Sequence, residues 1–451
     1  MSLARRVDRS GDVNEPDSKT DHDPGAAAQA GVQRGPRGWI ARFGVIWSGQ
    51  ALSLLGSQFV SFALIWYLTL TTQSATVLAT ASLVGLLPRV FLGPFVGALV
   101  DRWNRRYMMM AADACVALAT LAIALLFALG VVQTWHIYLL LLARAIGGSF
   151  HYPAMLASTS LMVPKEHLTR VQGLNQALDG GLKIISAPLG ALLLGVLPMQ
   201  GILALDVITA LLAIVSLIFV HIPQPPRPEE VAGRSNVAAT WHDMAAGLRY
   251  IFSWTGLALA IMMATMLNTL LSPAFSLLPL LVSRHFQQGA LQLGWLNTAL
   301  GIGFLVGGLL LSVWGGFKRR ILTSMLGIAG LGVAVLLIGL APASGLNQAL
   351  VAMLMLGVAL PLVDGPFMAI IQAVVKPGMQ GRVITMSMSL SAAASPLGLI
   401  VAGPLADLLG IQAWFILAAA MCFVMAAAGL LVPQIAHLEE GRQAPPVVSI
   451  I

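Results

Sequence analysis

Apolar runs of 20 to 30 residues recur along nearly the whole chain. At ~1.5 Å of rise per residue, a helix of that length crosses a hydrocarbon core of ~30 Å. In lipid every backbone amide must be satisfied within the segment or by a closed barrel, so the fold class expected is all-α and integral to a membrane. Composition agrees, with 10% of residues charged and 58% hydrophobic, where a soluble protein carries roughly 25% charged residues.

Twelve transmembrane helices are expected, at 44–71, 76–100, 107–131, 136–163, 171–198, 202–221, 254–283, 290–316, 321–341, 346–375, 383–408 and 411–433. Residues 1–43 precede them and read as a disordered cytoplasmic tail, the first 38 being rich in Gly, Pro, Asp, Arg and Ala without apolar periodicity. No secretory signal peptide is visible. A polar interval at 222–253 divides the spans six and six, giving bundles at 44–221 and 254–433 and a tail at 434–451. The interval opens with "HIPQPPRPEE" and then carries Val237, Trp241, Met244, Leu248 and Ile251 at helical spacing. That is an amphipathic helix, lying either on the membrane surface or on a neighbouring loop.

The net charge of +7 could suggest nucleic acid, but its placement does not. With the N-terminus inside, 21 of the 25 Lys and Arg residues fall in cytoplasmic segments. This is the positive-inside pattern, so both termini are expected in the cytoplasm, with a lipid bilayer as partner and no nucleic acid. Cys115 and Cys422 sit in apolar runs and read as buried thiols. Trp66, Tyr67, Trp135 and Trp414 lie at outer span ends, and Trp103, Tyr107 and Trp314 at inner ends, as interfacial anchors do. Met262, Met263, Met266, Met386 and Met388 either line an adaptable pocket or pack in the core.

The two halves repeat. "HYPAMLASTSLMVPKEHLTRV" in the fourth span matches "DGPFMAIIQAVVKPGMQGRV" in the tenth. Both carry Pro-x-Met, a second proline eleven residues after the first, and a closing Arg-Val; the next spans each carry Pro-Leu-Gly. Parallel repeats of this kind place substrate near the bilayer midplane, between the halves. The alignment pairs His151 with Asp364.

After the second span the chain reads "GPFVGALVDRWNRR". This resembles the G-x-x-x-D-R-x-G-R-R signature of the major facilitator superfamily, with Asn104 where the second glycine is usual. Asn tolerates a left-handed turn, so the turn is expected to persist. "FGVIWSGQALSLLGS", "GLLPRVFLGPFVGALVDR", "FHYPAMLA", "LMVPKEHLT" and "GRVITMSMSL" are similar to segments of the bacterial macrolide-efflux proteins of that superfamily, over about residues 40–435. The resemblance implies two pseudo-symmetric six-helix bundles, alternating access, and efflux of an amphipathic, macrolide-like small molecule by antiport against protons, in the cell membrane and as a monomer. It also implies a cytoplasmic gate at Gly97, Asp101, Arg102, Arg105 and Arg106, docking near Arg382.

No G-x-x-x-x-G-K-[ST] loop is present, and no His pair has metal-ligand spacing. No catalytic triad can be picked out, so neither an enzyme, a cofactor nor a metal is expected. What remains are charges within spans. Asp179 and Lys183, four residues apart, share a helix face, as a structural salt bridge or as participants in transport. Arg89 and Arg144 set the local field; Asp113 is read as a partner for the Arg105–Arg106 loop, Asp206 as structural, and Asp407 as closing its span near the outer surface, where it needs no buried partner.

Asp364 is the single charge between Gly345 and Lys376, flanked by Pro361, Gly365 and Pro366, which should free backbone carbonyls toward a cavity or protein. Burial without a partner favours a carboxyl's neutral form, making Asp364 the first candidate for a proton switch, with His151 its mate. The alternative is a structural carboxyl, bonded to backbone or paired with Arg89, Arg144 or Lys183. Three intramembrane cations leave export of a siderophore or another anionic metabolite open. A transport-inactive sensor would need a soluble domain larger than the tail or the linker.

Overall fold

The computed structural model describes residues 38–220, 222 and 237–440. Residues 1–37 of the expected disordered tail, most of the Pro-rich linker and the extreme C-terminus lie outside them; residues 39–43, expected in that tail, are already helical. Of two separable units, Met1–Gly38 and Trp39–Ile451, the second carries the fold.

Its first six long helices are α1 (Trp39–Thr72), α2 (Ala75–Arg102), α3 (Arg105–Ala128), α4 (Thr134–Met162), α5 (Leu168–Val196) and α6 (Met199–Phe219). The amphipathic α7 spans Val237–Phe252. Six more follow: α8 (Thr255–Leu280, continued by a π turn at Leu281–His285), α9 (Ala290–Trp314), α10 (Arg320–Gly339), α11 (Leu346–Val374), α12 (Pro377–Leu409) and α13 (Ile411–Leu431). Eleven of these are long and apolar enough to cross a membrane. The remaining long helix, α4, has 29 residues but carries His136, Arg144 and His151. No strand occurs among the described residues.

Short connections force consecutive helices antiparallel, and local chemistry sets the turns. Ser74 caps α2 by accepting from the Val77 amide. Asn104 is extended (φ −67°), not left-handed as expected, and its side chain accepts from the Arg106 amide at 3.0 Å. The signature turn is therefore kept by a helix N-cap, a role Asn fills as well as any residue. The prolines do not break their helices: α4 runs through Pro153, and α11 through Pro361 and Pro366. Proline has no N–H, so the Gly357 and Leu362 carbonyls, four residues before Pro361 and Pro366, lose their helical donor although the helix is continuous.

Within the unit, α2 packs along α12 and α5 along α9, while α11 is held between α9 and α10. Glycines permit the closest of these crossings. A methyl at Gly303 would strike the Leu354 carbonyl, and one at Gly357 the Leu300 carbonyl. Membrane helices, lacking a hydrophobic drive to associate, gain from such backbone contact.

The apolar core is continuous at one end only. Near the α1–α2 turn, Leu64, Leu68, Leu78 and Ile137 belong to one cluster with Leu270, Leu277 and Leu296 of the later helices. At the opposite end Phe43, Val100, Met109 and Met162 form a separate cluster within the first six helices.

One open alternative is decided here and two readings are corrected. Helix α7 packs on protein, with Gly247 against the Arg382 backbone and Ile251 buried in the main core. Cys115 is exposed, because an apolar stretch in a membrane helix faces lipid as readily as core. Trp66 and Trp414 are buried, Trp414 donating to the Leu270 carbonyl at 3.1 Å, while Trp103, Tyr107, Trp135 and Trp314 are exposed as anchors should be.

Candidate functional site

A cavity of about 700 Å³ opens among the first six helices. Its polar wall includes Gln50 on α1, Arg89 on α2, Asp113 on α3, Arg144 and His151 on α4, and Asp179 on α5.

Three of these side chains form a closed triangle. His151 Nε2 lies 2.8 Å from Gln50 Oε1 and 3.4 Å from Asp113 Oδ1, and Gln50 Nε2 donates to Asp113 Oδ2 at 3.4 Å. Both neighbours of Nε2 are acceptors, so the network assigns the hydrogen to that nitrogen. A second proton, taken at Nδ1, would place an imidazolium beside the Asp113 carboxylate. Asp113 thus faces His151, correcting its assignment to the Arg105–Arg106 loop.

A second centre lies in the same interior. Arg144 Nη1 meets Asp206 Oδ2 at 2.6 Å, and Arg144 Nη2 donates to the Ser57 carbonyl at 2.8 Å. Ser57 Oγ donates to Asp206 Oδ1 at 3.0 Å and Thr120 Oγ1 to Asp206 Oδ2 at 3.2 Å. Asp206 is 1% exposed, so both carboxylate oxygens are satisfied by protein. The cluster ties α1, α3, α4 and α6 together and neutralises Arg144. Asp206 is structural, as read, but its pairing with Arg144 was not foreseen. An arginine in mid-span with no acid on its own helix was the available signal.

The Asp179–Lys183 salt bridge, one of the two readings left open for this pair, is not formed. Both residues are exposed; the Lys183 ammonium sits 5.1 Å from the centre of the Phe304 ring on α9, in cation–π range. Among the described residues, Arg89 and Asp179 make no ion pair, so the cavity wall carries a free cation and a free carboxylate in addition to Asp113, which faces His151.

Asp364 is exposed rather than buried in protein, makes no hydrogen bond or ion pair among the described residues, and does not line this cavity. It shares with His151 a place on a proline-bearing helix; the structure does not bring the two together. Of the gate residues, the side chains of Gly97, Asp101 and Arg102 lie outside the described set. Arg105 is buried, Arg106 donates to the Ile218 carbonyl of α6 at 2.6 Å, and Arg382 donates to Met379 Sδ at 3.8 Å.

Sequence reasoning also missed Asp407. Its carboxylate accepts from the Ala75 amide (2.8 Å), the Thr76 amide (3.0 Å), Thr76 Oγ1 (2.7 Å) and Ser74 Oγ (3.0 Å). It caps α2 from another helix.

Comparison with known proteins gives one consistent answer. The family model described as transmembrane secretion effector matches residues 39–446. Macrolide efflux protein A of Streptococcus pyogenes is 32% identical over 401 residues, covering 89% of this chain and 98% of that protein. Multidrug efflux pump Tap of Mycolicibacterium fortuitum is 24% identical, covering 85% and 94%. Among solved structures, a mutant of the nucleoside transporter NupG is similar with a TM-score of 0.64 at 15% identity, covering 86% of this chain and 98% of that one. A bacterial homolog of the lysosomal transporter Spinster gives 0.62 at 12%, covering 90% and 97%. At those identities the structural likeness speaks to fold alone.

Proposed function

Since this chain belongs to the transmembrane secretion effector family, a family of major facilitators, we propose that it exports amphipathic organic compounds of macrolide-like type by alternating access, each cycle driven by inward proton movement. It works as a monomer in the cell membrane, with both termini in the cytoplasm as the Lys and Arg distribution indicates.

The observation that carries this reading is the polar cavity of the first six helices. An amphipathic drug needs apolar wall and a few placed polar groups; Asp179 and Arg89 supply free charges there for a ligand amine or carbonyl. Imidazole is the side chain that changes charge most readily near physiological pH, and His151 contacts Asp113 and Gln50 inside the same cavity. A proton and a drug could therefore compete for one site. Export of an anionic metabolite is less favoured, because Arg144, one of the three intramembrane cations, is already neutralised by Asp206.

The test is drug accumulation in bacterial cells with and without the protein. Expression should lower intracellular macrolide several-fold, and a protonophore should abolish the difference. Equal accumulation across a macrolide and multidrug panel, with the protein present in the membrane, would overturn the assignment.

A further inference from the structure

We infer that Asp407 is a gate residue of the transport cycle: seated on the first turn of α2, its carboxylate holds α12 against α2 at the α1–α2 end and must let go before that end can open. The inference rests on the alternating-access reading above.

The first amides of a helix have no partner within it, and its N-terminus carries partial positive charge. In most helices a residue of the same segment caps them. Here the main acceptor comes from more than 330 residues away, so capping α2 and joining the two halves are one interaction. Oδ1 takes the Ala75 amide, and Oδ2 takes the Thr76 amide together with the Thr76 and Ser74 hydroxyls.

Neighbouring contacts show the same end closed. One turn before Asp407, a methyl at Gly403 would lie 2.8 Å from Thr76 Cα and 3.0 Å from Ala79 Cβ, so the two helices touch there with no side chain between them. Ser82 Oγ of α2 and Ser276 Oγ of α8 are 2.6 Å apart, and Ser276 also bonds the Leu78 carbonyl at 3.2 Å. At the opposite end the apolar clusters of the early and late helices are separate. The structure is thus joined at the α1–α2 end, and on the proposed topology that end faces outward.

These bonds are few and polar. When the end opens, water can take over the freed donors and the carboxylate, so the latch can release within a working cycle. Losing an Asp N-cap to Ala shifts an equilibrium by roughly fivefold.

The experiment places spin labels at Thr71→Cys and Leu409→Cys, both exposed, in the full chain with Cys115 and Cys422 replaced by Ala. Pulsed electron resonance then reads the distance across the gate in detergent. The parent should show a dominant short distance. Asp407→Ala should raise the ratio of long to short distance about fivefold. Asp407→Asn, which keeps the acceptor but not the charge, should fall between. Should Asp407→Ala fail to reach the membrane, Ser74→Ala with Thr76→Val removes the two hydroxyl donors while leaving Asp407 in place, and a shift in the same direction is expected. An unchanged distribution in Asp407→Ala, or in the double variant used in its stead, overturns the inference. The readout needs no substrate, so a failure of the drug-efflux reading would leave this result standing, and the reverse also holds.

Discussion

Arg144 and Asp206, on α4 and α6, meet at 2.6 Å in the interior of the first six helices, with Ser57 and Thr120 filling the remaining bonds. The pair removes one cation from the cavity's free charge and fixes the helix that carries His151. A charge inside a membrane protein is costly unless partnered, and here the partnering is complete on the acidic side.

The first prediction follows from that geometry. Breaking a buried pair by removing one partner costs about 3–5 kcal/mol, whereas replacing both with apolar residues is often near neutral. Arg144→Met and Asp206→Leu should each lower the thermal midpoint of the purified protein sharply, and the double variant should recover most of the loss. A double variant no more stable than the worse single one would show that the pair does not act as a unit.

How much of this was legible in the sequence depends on the range of the contact. The placement of eleven of the twelve expected spans follows from local hydropathy, which does not pick out α4 with its His136, Arg144 and His151, and the repeat follows from matched prolines; each is a property of single segments. The site depends on which helices lie side by side. Arg144 and Asp206 are 62 residues apart, and Asp407 and Ser74 are 333 apart. Neither pairing has a local signature. The local pairing weighed for Asp179 and Lys183, four residues on, is not formed, and the Lys183 ammonium faces the Phe304 ring of α9 instead. Cys115, Trp66 and Trp414 were misplaced for a related reason. In a bilayer the outside of the protein is apolar too, so hydrophobicity no longer separates core from surface.

The second prediction concerns that unformed pair. With Lys183 over Phe304 and Asp179 on the cavity wall, the two should act independently. Asp179→Asn should weaken drug binding more than Lys183→Gln, and their effects should add to within about 0.5 kcal/mol. Affinities of the two singles and the double for one macrolide provide the check. Strong coupling between them would mean that they pair in the drug-bound state.

A third prediction addresses Asp364, which has no partner to lose among the described residues. Asp364→Asn should leave thermal stability within about 0.5 kcal/mol of the parent, as substitutions away from such partners do. As a proton switch it should nonetheless abolish gradient-driven export while sparing drug exchange without a gradient. Export at the parent rate in proteoliposomes would remove Asp364 from the coupling and leave it to His151 and Asp113.

The most direct test of proton-coupled efflux through the first-half cavity is macrolide uptake into inside-out proteoliposomes with an acidic lumen. The parent protein should concentrate the drug while the gradient lasts and stop when it is collapsed. His151→Gln keeps a hydrogen-bonding side chain toward Gln50 and Asp113 but carries no titratable ring. It should lose gradient-driven uptake by about a hundredfold or more, the low end of the range for removing a positioned proton-transfer group, while still exchanging drug across the membrane at equal pH. Uptake by His151→Gln at the parent rate and with the parent dependence on the gradient would contradict the account.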